Sequence, residues 1–119
     1  GLEGSNPSGS AKMISFEDFK KLDIRIGKVI SAERIPDSDK LVKMQVDFGA
    51  EQRQILAGIA EFVPDLAPLV GKEMPFIVNL EPRKMRGFES QGMMLAADTD
   101  GRPILLHPAE DLPPGSMVK

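Results

Sequence analysis

Cysteine, tryptophan and tyrosine are absent from this sequence, and histidine occurs once, at His107. Without cysteine there can be no disulfide, no thiolate metal site and no cysteine nucleophile, and one imidazole leaves little for zinc or redox chemistry. The aromatic set is six phenylalanines. Five of them fall in apolar-patterned positions, so stacking on single-stranded bases is not a main mode of recognition. No apolar run approaches the ~18 residues that cross a membrane, and no signal-peptide pattern is present. The expectation is a soluble, cytoplasmic protein without a membrane partner.

A strong positive balance is missing too. The formal net charge is −3, which argues against attraction of nucleic acid to the whole surface. The charges are unevenly placed, however. Residues 20–53 carry eight basic against six acidic side chains and residues 81–89 three against two, whereas residues 98–119 carry two against four. One face can therefore be basic while the tail is acidic.

The opening GLEGSNPSGSAK, residues 1–12, is rich in Gly and Ser, lacks apolar periodicity and precedes a Met, which is the pattern of an expression-tag remnant. The native segment is taken from Met13 to Lys119, a length that fits one domain with a modest core. Ser15, with Asp18 three residues on, predicts an N-cap and a short helix over 15–22. Over 23–34, Ile24, Ile26, Ile30 and Ala32 alternate with polar residues, with Gly27 a natural place for a bulge. Val42, Met44, Val46 and Phe48 alternate as a second strand, and 53–59 forms a third. Pro64, Pro68 and Gly71 predict a short helix or turn over 60–72. A fourth strand runs over 74–80 with Pro75 at an edge. Residues 81–92 read as a loop, 93–97 as a fully buried fifth strand, and Asp100-Gly101 as a turn into a short strand at 104–106. Five short strands with a helix or turn between the third and fourth give an all-β OB-fold, a Greek-key barrel with a short N-terminal helix and a C-terminal extension.

Particular residues carry a resemblance beyond this patterning: LDIRIGKV (22–29), DSDKL (37–41), VDFG (46–49), LAGI (56–59) and NLEPRKMRGFESQGMMLAA (79–97). With these motifs the chain resembles the tRNA-binding domain family. That family includes the C-terminal domain of bacterial methionyl-tRNA synthetase, free-standing structure-specific tRNA-binding proteins and the endothelial monocyte-activating polypeptide module. The resemblance runs from Phe16 to Lys119 and implies an OB-fold, tRNA binding without catalysis, and a homodimer built through elements flanking the barrel. A methionyl-tRNA synthetase catalytic domain is a further implied partner. Ser90 and Met93, with the basic residues around the pocket, are implied to lie on the binding face. A branch of the family associated with peptide binding and export chaperoning, and a purely structural dimerisation module, are the alternatives. Residues 36–38, Pro-Asp-Ser, depart from a turn sequence frequent in the family.

The candidate tRNA-binding residues each have a plainer role open to them. Arg83, Lys84 and Arg86 sit between Pro82 and Gly87, where they can project together toward phosphates or be a solvated charge run. Lys40, Lys43 and Arg53 come from the strand-two and strand-three region, whose outer face is a usual OB ligand surface; a solubilising face is the alternative. Arg25, on strand one, is open both ways. Asn79 can hold a base edge or the turn, and Ser90 can donate to phosphate or cap a turn. Phe88 is the one aromatic in the ligand loop and can stack on a base. Met85 and Met93 are the methionines with a binding case, the others being core or interface filler. The scarcity of aromatics favours folded RNA read through its shape and backbone. Glu61, Asp65, Glu73, Glu110 and Asp111 have no partnered nucleophile or base, so no catalytic residue, metal site or cofactor is expected.

Overall fold

The computed structural model describes residues 12–119. The tag-like segment 1–12 therefore lies, Lys12 aside, outside the described residues. In chain order the elements are α1 (Phe16–Phe19), β1 (Ile24–Arg34), β2 (Val42–Asp47), β3 (Gln52–Ala57) and a 3-10 turn (Ala67–Leu69). There follow β4 (Glu73–Ile77), β5 (Arg83–Met85), β6 (Phe88–Ser90), β7 (Met93–Met94), β8 (Ala96–Thr99), β9 (Arg102–Leu105) and β10 (Met117–Val118).

One antiparallel sheet runs in the order β3-β2-β1-β4-β7, and β10 pairs with the start of β1. It curls until β3 meets the segment joining β6 and β7, where Gln91 N donates to Gln54 O at 2.8 Å. The result is a nearly closed, OB-like barrel. Val42, Met44 and Val46 of β2, Ile55 of β3, and Met74 and Phe76 of β4 are fully buried inside it. Each contributes roughly 1.5–3 kcal/mol by leaving water. Phe48 closes one end edge-on to Phe76, with ring centroids 5.5 Å apart.

The alternation of β2 is as the sequence predicts, and β1 is not. Register pairs Arg25 with Phe76 and Gly27 with Met74, so the interior positions of β1 are 25, 27 and 29 rather than 24 and 26. Ile24 and Ile26 are buried on the other face, and the chain end returns beside them in the sheet: Ile26 N donates to Ser116 O at 2.8 Å, and Gly115 N to Ile26 O at 2.7 Å. The register shift falls between Val29 and Ser31, leaving Ile30 as the extra, exposed residue. Gly27 serves a different end. A Cβ there would collide with Val46 Cγ1 and come within 2.7 Å of Phe48 Cε1, so only glycine lets the barrel close this tightly.

Three further expectations are corrected. Pro75 is not at an edge, because β4 lies between β1 and β7. Its carbonyl accepts from Leu95 N at 3.0 Å, and its missing N–H falls on that same side of the strand, away from the β1 ladder. Segment 81–92 is not a loop but a hairpin, β5 and β6 joined by Arg86 (φ 53°) and Gly87 (φ 84°). Positive φ at both turn residues matches the right-handed twist of paired strands. Finally, 93–97 is neither continuous nor fully buried: β7 ends at Met94, Met93 is 44% exposed, and Ala96–Thr99 pairs with β9 around Asp100-Gly101 in a second hairpin. Pairing of β10 with Ile24 and Arg25 has no forerunner in the sequence reading.

Candidate functional site

The β5–β6 hairpin lies over the outer face of β2 and β3. Gln54 Nε2 donates to Glu89 O (2.9 Å), Gln54 N to Gln91 Oε1 (3.2 Å) and Leu56 N to Ser90 Oγ (3.0 Å). Leu56 points away from the barrel interior, yet this cover leaves it only 5% exposed. The strand face that an OB barrel usually offers a ligand is thus covered by the protein's own hairpin around Leu56 and Lys43, while Gln45, Asp47 and Gln54 stay half-exposed. What remains open is the hairpin's outward side and a cleft of about 750 Å³ beneath it. Leu41, Leu56, Met85, Met93 and Met94 make its walls apolar, with Arg83 and Glu81 at the lining as the charged groups.

Pairing fixes which hairpin side chains point where. Arg83 is opposite Ser90 and Met85 opposite Phe88, which sets those four on the side facing the barrel; Lys84 and Glu89 are opposite each other on the outward side. Arg86 stands at the exposed tip. The three cations share one small projection but leave it in three directions, Lys84 beside a carboxylate. Among the described residues none of the three makes an ion pair.

The other predicted site residues are engaged within the fold to different degrees. Arg53 shares the interior side of β3 with Ile55 and plugs a barrel end. Its guanidinium donates to Glu51 Oε2 (2.8 and 3.0 Å), Val78 O (2.5 Å) and Gln91 O (3.2 Å). Arg25 grips Asp23 through Nε (2.8 Å) and Nη2 (3.3 Å), and this hydrogen bond and the Asp23 charge raise its pKa above the ordinary arginine value. Arg34, which adds to the apparent basic balance of residues 20–53, donates to Ala60 O, Val63 O and Pro64 O instead. Asn79 Oδ1 accepts from Asp23 N (2.9 Å) while Nδ2 donates to Lys21 O (2.7 Å), tying the end of β4 to the entry of β1. Ser90 is 3% exposed, accepts from Leu56 N and donates to Gly92 O at 2.9 Å. The Ser-x-Gly pattern is therefore a clasp that shuts the barrel. Gly92 completes it, since a Cβ there would sit 3.0 Å from Ile77 O.

Lys43 and Phe88 meet each other. Lys43 Nζ lies 4.6 Å from the Phe88 ring centroid and 2.9 Å from Glu33 Oε1. Lys40 is exposed, next in sequence to Leu41 on the cleft wall, and Met93 lines the cleft. The structure thus brings Arg83, Met85 and Met93 around one opening, with Lys40 exposed beside the wall residue Leu41 and Lys84 and Arg86 on the projecting hairpin. Arg25, Arg53 and Asn79 lie at barrel ends with their polar groups engaged. The resemblance implies a pocket, but its apolar walls were not read from the residues; their signal was Leu56, an apolar residue on the outer side of β3.

Residues 24–117 match the family model described as "Putative tRNA binding domain". Methionine–tRNA ligases from Archaeoglobus fulgidus and Porphyromonas gingivalis are 51% and 49% identical over 88% and 92% of this chain. The chain spans only about a sixth of their length, 16% in each case. Among solved structures, a MetRS-related protein from Pyrococcus horikoshii superposes with TM-score 0.87 at 40% identity, covering 92% of this chain and 100% of that one. The chaperone CsaA from Bacillus anthracis gives 0.81 at 33% identity, covering 91% and 100%. A family model spanning most of the chain, together with relatives about half identical over some nine-tenths of it, establishes that this chain belongs to the tRNA-binding domain family.

Proposed function

We infer that this domain binds folded tRNA without catalysing a reaction, gripping the phosphate backbone with the β5–β6 hairpin. The observation that carries the reading is the placement of Arg83, Lys84 and Arg86 on a projecting hairpin, in a member of a tRNA-binding family. Phosphate contacts position a protein on RNA whatever the base sequence, and three cations on one projection suit that task. Exposed Lys40 precedes Leu41 of the cleft wall and adds a further cation to this reading, and Met85 and Met93 add an apolar lining for sugar or base edges. No aromatic residue lines the cleft, consistent with recognition by shape rather than stacking on single strands. Arg25, Arg53, Asn79 and Ser90 serve this reading indirectly, by holding the barrel in shape.

The likeness to methionine–tRNA ligases supports a role beside such an enzyme, presenting tRNA for aminoacylation in the cytoplasm. Among the described residues no helix is long and apolar enough to cross a membrane. Residues 1–12 are read as a tag, with the domain from Met13 onward. A homodimer is part of the same reading. Helix α1 buries none of its residues, Phe16 is 70% exposed and Met117 56%, which leaves apolar surface at the two chain ends for a second copy to cover. Two copies would double the contacts available to one tRNA.

Electrophoretic shift with bulk tRNA and with a single-stranded RNA of equal length tests the reading. Preference for the folded RNA, with light scattering giving twice the monomer mass, supports it; equal affinity for both, or none, overturns it. A second reading, capture of unfolded polypeptide, is favoured by the apolar cleft and the CsaA likeness. Retention of unfolded peptide with no tRNA retained would select it.

A further inference from the structure

We propose that Lys43 is a positioning residue, clamped between Glu33 and the Phe88 ring, that sets where the hairpin holds Arg83, Lys84 and Arg86 for RNA. The proposal rests on the tRNA reading above and deepens it: it assigns Lys43 and Phe88 a role in aiming the phosphate contacts rather than in making them.

The geometry supports this assignment on three counts. First, among the described residues the hairpin's polar tethers to the barrel fall on its returning arm and base, at Glu89, Ser90 and Gln91, and none lies beyond Glu89 toward the tip. Toward the tip the chain leaves the barrel for Phe88, Gly87 and Arg86, and there Phe88 meets Lys43. Secondly, Lys43 is not placed to reach solvent phosphate. Although it stands on the outer face of β2, its side chain is only 22% exposed, against 65% for Glu33. Its ammonium lies 4.6 Å above the Phe88 ring and 2.9 Å from the Glu33 carboxylate. Both distances are within the range where a cation over an aromatic face and an ion pair are attractive, and partial desolvation strengthens the first. Thirdly, the partners come from separate parts of the fold. Glu33 and Lys43 are directly paired across β1 and β2, and Phe88 belongs to the hairpin, so one ammonium links barrel to hairpin. The half-buried Phe88 ring has one face taken by this cation.

Two measurements separate this from direct phosphate binding by Lys43. Amide hydrogen exchange of the hairpin is read without RNA, on the chain with Lys43→Met, Phe88→Leu, the double variant and Lys43→Arg. Methionine keeps the packing of the stem and arginine keeps a cation for the ring. The clamp predicts exchange in residues 84–88 faster by about threefold to tenfold in either single variant, no further increase in the double, and near-normal exchange in Lys43→Arg. tRNA affinity should fall in parallel, again without additivity in the double variant. Unchanged exchange in Lys43→Met would overturn the proposal, as would a normal tRNA affinity in Phe88→Leu alongside a reduced one in Lys43→Met, the pattern of a direct phosphate ligand. Failure of the unaltered chain to bind tRNA would instead remove the functional reading and the RNA half of this proposal, while the exchange result would still decide whether the clamp exists.

Discussion

Replacing Ser90 by alanine deletes a hydroxyl that joins three parts of the barrel. Its Oγ accepts from Leu56 N of β3 at 3.0 Å and donates to Gly92 O, just before β7, at 2.9 Å. The residue is 3% exposed, so water cannot take over the Leu56 contact, and a buried donor left without a partner costs about 1–3 kcal/mol. Gly92 O is less deeply placed and can recover hydration. A total near 2 kcal/mol follows, and at roughly 4–8 °C per kcal/mol for a domain of around 100 residues, Tm should fall by about 8–16 °C. Calorimetry of Ser90→Ala and Ser90→Thr checks this, with tRNA affinity measured well below the lowered Tm. The alanine variant should show a large Tm loss and near-normal binding by the molecules that stay folded. An unaltered Tm with weakened binding would show that the hydroxyl faces the ligand, and would refute the reasoning.

Other substitutions probe other parts of the same structure. Gly27→Ala should destabilise by about 1–3 kcal/mol through overpacking against Val46 and Phe48, read from the urea midpoint; a neutral result would mean the barrel relaxes easily there. Arg86→Asn should keep or raise Tm, because asparagine tolerates the left-handed conformation at φ 53° better than arginine does, while tRNA binding weakens; a lower Tm would argue against the turn geometry. Asn79→Ala removes the hydrogen bonds to Asp23 N and Lys21 O and should cost about 1 kcal/mol, with faster amide exchange at Asp23 and unchanged tRNA affinity.

How far the sequence could be read depended on the range of the interaction concerned. Val42, Met44, Val46 and Phe48 were legible because a two-residue period reports directly on one buried face. The Asp100-Gly101 turn was legible for an equally local reason, positive φ at both residues. Arg86-Gly87 makes the same kind of turn, but arginine in place of asparagine or aspartate hides it, and the segment looked like a loop. In β1 the apolar residues Ile24 and Ile26 gave the wrong interior face: both are buried on the outer side, next to where residues 115–118 return and pair with the strand. Met93 to Ala97 looked core-like because an apolar run cannot distinguish a closed interior from the wall of a cleft. Residues 24–117 match the family model, yet membership alone did not sort the polar residues. Ser90, Asn79 and Arg53 find partners 25 to 58 positions away in the chain. Only three-dimensional closure shows that their polar groups are engaged by the protein.

Salt dependence of tRNA affinity tests the central claim most directly. Each phosphate neutralised releases counterions and contributes roughly 0.7–0.9 to the slope of log K against log salt. If the hairpin grips the backbone, Arg83→Gln, Lys84→Gln and Arg86→Gln together should reduce that slope by about 2 and weaken binding at low salt, with Tm nearly unchanged because all three are exposed. An identical slope and affinity in the triple variant, with the fold intact, would contradict the account.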